Sequence, residues 1–240
     1  MDSAATAARK YAGPVALGMV VAVAGVAPWA LLATLNARHR PDLPWAALVT
    51  VLFLILYVVW LNGAGWPRAW REARRSSLRL WRPGPRAWTR EGLGPTLVLI
   101  FLLAILYLLW IAVSGSRQPP DLSAYPTTAY RFSLLIMGGV VSGVIEEVAF
   151  RGYLQSRLER YGAGTAIIVT SIVFALFHVV HGWQALLILG PGLFVASGLY
   201  GMLAYHTGSI LPGMAIHVLG DIAFTFFGTL GGDARLLFVP

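Results

Sequence analysis

Residues 132–151 read FSLLIMGGVVSGVIEEVAFR, an apolar run closed by Glu146, Glu147 and Arg151. The run is long enough, as a helix, to cross the hydrocarbon core of a bilayer. Ionisable groups are costly in such a place, and their presence marks a functional site. Helical spacing divides the two acids. Glu147 and Arg151 stand at i and i+4 with the acid first, the favourable order for an ion pair. Glu146 points about 100° away and lacks that partner. One carboxylate is therefore expected to hold structure and the other to be available for chemistry. Gly139, Gly143 and Glu147 form one row of this helix, and Ser142, Glu146 and Phe150 form the next. A small-xxx-small row lets a partner helix approach closely, so the acids are expected to face protein and not lipid.

Working outward, the whole chain has the character of this stretch. Of its 240 residues, 58% are hydrophobic and 12% charged. A soluble domain of this size would need more polar surface, so the composition specifies a multi-pass membrane protein. The formal charge of +8 does not imply a nucleic-acid partner, because the arginines gather in one loop between apolar runs. Cysteine is absent, which excludes thiol catalysis, disulfides and cysteine zinc sites. Seven apolar spans are expected, at about 12–35, 45–62, 93–114, 130–153, 163–181, 184–206 and 209–228. Arg9-Lys10 before the first run resembles the start of a signal peptide, but the run continues to Leu35 and reads as a retained span.

Residues 63–92 form the long hydrophilic loop, with eight arginines (68, 71, 74, 75, 79, 82, 86 and 90) and four interleaved tryptophans (66, 70, 81 and 88). Two readings of it stand side by side. One is a surface-lying segment touching anionic headgroups; the other is a solvated loop that sets topology. With the N-terminus inside, 13 basic residues fall on the inner side and 5 on the outer. The positive-inside rule then makes the N-terminus and the 63–92 loop cytoplasmic, in the cell (inner or plasma) membrane.

Chemistry concentrates in the last four spans. Ser171, Phe174 and His178 share a face of the fifth. Gly190-Pro191-Gly192 in the sixth reads as a break or helix boundary. Gly213, His217 and Asp221, each four apart, make one stripe of the seventh. Residues 125–240 are therefore expected to form a helical catalytic core, and residues 1–124 accessory spans. A carboxylate and an imidazole around a water make a general-base site, with nearby donors for an oxyanion.

Three short motifs resemble those of the CPBP intramembrane proteases, which include the type II CAAX prenyl endopeptidases and the Abi proteins. Two glutamates, three residues and an arginine stand at Glu146, Glu147 and Arg151; Phe-x-x-x-His stands at Phe174 and His178; His-x-x-x-Asn/Asp stands at His217 and Asp221. A glycine-rich stretch beginning at Gly198 is also similar. The likeness covers about 130–225.

The resemblance implies that Glu146 activates water with help from His178. It implies that His217 and Asp221 serve the oxyanion, and that Glu147 with Arg151 holds the site. It leaves open a metal-free glutamate mechanism and a divalent metal such as zinc held by Glu146, His178 and His217. The prenyl-protein members typically carry Asn where this chain has Asp221. The expected partners are the lipid bilayer and a membrane-associated protein or peptide substrate, cut near its C-terminus. The substrate-binding residues are not legible. Two other functions fit the same residues: a non-enzymatic membrane immunity or trafficking protein, and a proton-coupled transporter. Against transport, no pair of equivalent broken helices divides the chain into halves.

Overall fold

The computed structural model describes residues 2–79 and 127–230, with six scattered helical positions between 94 and 105. Every regular element among the described residues is helical. Helix α1 runs Asp2–His39 and α2 Trp45–Leu61. A 3-10 turn, Arg68–Trp70, leads into α3, Arg71–Leu78. Helix α4 is Thr128–Glu146, and the chain then winds as a π-helix over Glu147–Gln155. Helix α5 is Ala163–Phe177, followed by a 3-10 turn His178–His181; α6 is Trp183–Thr207 and α7 Leu211–Leu230.

Among the described residues, three helical stretches are long and apolar enough to cross a membrane: Lys10–His39, Tyr130–Tyr161 and Ala163–Val180. Trp45–Leu61 and Leu211–Ala223 are shorter apolar helices. The expected span at 93–114 lies largely outside the described residues, whereas each other expected span coincides with a helix. The outward faces of α1 and α2 carry Val20, Val23, Leu31, Leu52 and Ile55 exposed, a surface suited to lipid.

Local chemistry explains the boundaries. Thr127 caps α4, its hydroxyl accepting from the Tyr130 N–H at 3.2 Å. Buried Asn36 ties α1 to α2: its amide donates to the carbonyls of Arg40 and Leu43, and its oxygen accepts from Ala46 N–H at 2.9 Å. Gly208 closes α6 with φ of 65°, a left-handed cap that glycine adopts without steric cost.

The break expected at Gly190-Pro191-Gly192 is absent, since α6 continues through Pro191. In an apolar setting nothing competes with the remaining helical hydrogen bonds, so one lost donor does not end the helix. The π winding after Glu146 has no signal in the sequence. It is the hub of the molecule, and all nine of its residues are buried. Ala149, Phe150 and Leu154 share a core with Ala22 of α1 and with Ala166 and Phe174 of α5. Val148 and Tyr153 share another with Leu61, Leu78, Ala204 and Ile210.

That second cluster draws the end of the described part of the basic loop onto protein. Leu78 is buried, and Arg79 carbonyl accepts from Ile210 N–H at 3.1 Å. Arg79 also pairs with Glu159. Arg74 is buried with its guanidinium 4.4 Å from the Trp60 ring. Arg74, Leu78 and Arg79 are thus docked on protein, while Trp66, Arg68, Arg71 and Glu72 stay exposed. Positions 80–92 lie outside the described residues.

Candidate active site

The row of small residues on α4 does what its composition implies. A Cβ on Gly143 would stand 2.7 Å from the Val218 backbone nitrogen, and one on Gly139 would stand 2.9 Å from that of Ile222. Real Cβ atoms do not come so close, so only glycine admits α7 at this distance. The close approach carries His217 against both glutamates.

His217 is the centre of the cluster. Its Nδ1 lies 3.0 Å from Glu147 Oε1, and its Nε2 lies 3.7 Å from Glu146 Oε2 and 3.6 Å from Asp221 Oδ2. A carboxylate oxygen can only accept from the ring, so Nδ1 carries a proton and Nε2 is turned toward Glu146 and Asp221. The adjacent acids therefore address opposite nitrogens of one imidazole.

Glu147 is fully buried and uses the same Oε1 for Arg151, whose Nη1 lies 3.0 Å away. This is an ion pair without an aligned hydrogen bond, since Nη1 has no hydrogen-bond acceptor. Arg151 is anchored instead through Nη2, which donates to the Ser197 hydroxyl at 2.7 Å and to its carbonyl at 3.0 Å. The other Glu147 oxygen faces Gly213, where a Cβ would come within 3.2 Å. Glu146 receives a hydrogen bond from Ser142 on Oε1 at 3.1 Å, and its Oε2 is buried without a hydrogen bond, 3.7 Å from His217 Nε2. An oxygen oriented in this way and left open suits a proton acceptor.

His178 begins the 3-10 turn after α5. Its Nδ1 lies 2.9 Å from the Phe174 carbonyl, which can only accept, so a neutral ring presents Nε2 as its acceptor. Phe174 links it to the rest: its ring is 4.8 Å from that of His178, 6.1 Å from that of His217 and 4.7 Å from the Arg151 guanidinium carbon. The structure thus joins Glu146, Glu147, Arg151, His217 and Asp221 by direct polar contacts and brings His178 alongside through Phe174.

For a bound metal, the fit is poor. Among the described residues no three His, Asp or Glu side chains are grouped as a metal site requires. Glu146 and His217 approach each other without His178 completing a set.

Three residues of the cluster had no assigned role in the sequence. Ser142 was within reach, since it stands four before Glu146 on its own row. Ser197 and Tyr200 sit on an apolar helix with no titratable neighbour, and only tertiary packing brings them to Arg151 and His217.

A family model, type II CAAX prenyl endopeptidase Rce1-like, matches residues 128–223. The matched segment starts with α4 and ends just beyond Asp221, so it holds every residue of the cluster. Together with the three motifs, the match makes residues 128–223 similar to the type II CAAX prenyl endopeptidases. The family points to a membrane protease with a protein substrate. No curated protein and no solved structure matches the chain.

Proposed function

We propose that this chain is a seven-span intramembrane endopeptidase with a cytoplasmic N-terminus. Residues 125–240 carry the chemistry and residues 1–124 support them. It hydrolyses a peptide bond of a membrane-associated protein or peptide, near its C-terminus, and needs no metal.

The observation that supports this reading best is the arrangement of two adjacent buried glutamates on opposite nitrogens of His217. Glu146, oriented by Ser142, takes a proton from water as the water oxygen bonds to the scissile carbonyl carbon. His178 assists through Nε2. In its charged form His217 donates Nε2–H to the oxyanion, while Glu147, held by Arg151, keeps the ring in place. Asp221 orients that donor from the other side. On collapse the C–N bond breaks and the proton on Glu146 passes to the leaving amine.

The test uses purified protein in lipid nanodiscs with quenched fluorescent peptides tethered to the bilayer, with and without chelator. Wild type should cleave in both conditions and Glu146→Gln in neither. Cleavage by Glu146→Gln would remove the general base. Loss of wild-type cleavage on chelation, restored by zinc, would replace the metal-free mechanism. No cleavage by wild type would favour a non-enzymatic or transport role.

A further inference from the structure

Tyr200 belongs to none of the three motifs, yet its ring stacks on that of His217. The two rings are nearly parallel, at 14°, with centroids 4.8 Å apart. The Arg151 guanidinium carbon lies 5.2 Å from the same ring and 4.7 Å from Phe174. The guanidinium thus has an aromatic ring from each of two helices, α5 and α6, and one of those rings also covers the imidazole. Tyr200 cannot swing away easily. It is 3% exposed, packed with Ala196 and Leu203 of its own helix and with Ile216 beside His217. Gly213 completes the fit, since a Cβ there would touch both Tyr200, at 3.6 Å, and Glu147.

An imidazole held at Nδ1 by one hydrogen bond can still tilt about it. A parallel ring against its face removes that freedom. Aromatic faces also attract cations, so the same ring favours Arg151 and the charged form of His217 where they stand. We propose that Tyr200 is a positioning residue. It sets the plane of His217 and the seat of Arg151, and so aims Nε2 at the reacting carbonyl. The kinetic consequence rests on the peptidase reading; the placement of the ring does not.

Two measurements separate these. In detergent-solubilised protein with labelled histidine, the His217 ring protons, assigned by their loss in His217→Asn, should be shielded by the ring current of Tyr200. The shielding should persist in Tyr200→Phe and vanish in Tyr200→Met. Unshielded wild-type protons would overturn the proposal whatever the activity. In the nanodisc assay, Tyr200→Met should lower kcat on the order of 10- to 100-fold with KM little changed, the scale expected of a misplaced group. Tyr200→Phe should restore most of it. A Met variant with wild-type kcat, or a Phe variant as impaired as Met, would also overturn it. Should Met fail to fold, the wild-type shielding and the Phe kinetics still decide. If wild type cleaves nothing while the shielding is present, the peptidase reading has failed and the placement stands.

Discussion

Glu147 serves two partners through one oxygen, and Glu146 keeps one oxygen free of any hydrogen bond. The two should therefore respond differently to the same change. Glu147→Gln leaves Arg151 without its carboxylate in a fully buried place, a loss of about 3–5 kcal/mol for a broken buried pair. A marked fall in melting temperature should accompany the loss of turnover. Glu146→Gln keeps its volume and its contact with Ser142, so the melt should stay near wild type while turnover disappears. Equal melts for the two variants would contradict the division of labour. Asp221 has a side chain 37% exposed. Asp221→Asn should fold and keep measurable cleavage, because the amide can itself donate toward an oxyanion; complete inactivity would give the carboxylate an essential role. The Glu147–Arg151 pair was legible in the i, i+4 spacing alone. What spacing could not supply was His217 as the point where the two acids meet, because helical periodicity orders residues within one span and says nothing about rotation between spans.

The seam between α4 and α7 turns on single methyl groups. Gly143→Ala would drive a carbon into the Val218 backbone, and overpacking of this kind costs about 1–3 kcal/mol. It should also reduce turnover more than the melt alone explains, because α7 carries His217 away from both glutamates. Gly138→Ala is the control: nothing lies within 4 Å of its Cβ position, so both melt and turnover should stay near wild type. Similar losses in both variants would show that the seam is not the cause. The small-residue row was readable in the sequence because its period is helical. The π winding and the continuity of α6 through Pro191 were not. Each depends on what surrounds a helix: the packing on every side of residues 147–155, and the setting of an exposed Pro191 on an apolar helix.

At the scale of the molecule, the 13-to-5 distribution of basic residues gives a direct test of topology in a chain without cysteine. Ala69 and Asp42 are both exposed. Ala69→Cys should resist an impermeant thiol reagent in intact cells and react after permeabilisation, while Asp42→Cys should react at once. The reverse pattern would invert the orientation. The composition shift toward ionisable and small residues after about residue 130 is legible from residue types. The way α1 enters the same core is not. Gly18 lies where a Cβ would stand 3.0 Å from Leu154, and nothing in an apolar leader-like run announces that it will press against the segment behind the glutamates.

The same backbone-to-backbone approach of α4 and α7 has a consequence for traffic. Where Gly139 and Gly143 meet α7 there is no clearance for an added methyl group, so no polypeptide can thread between these two helices at that level. Glu147 and Arg151, sealed behind the seam, are inaccessible to anything arriving from outside, whereas Asp221 keeps one side open. Among Glu146, Glu147, Arg151, His217 and Asp221, Asp221 alone keeps a side open to an arriving chain, and the resemblance implies an uncharged amide there in the prenyl-protein members.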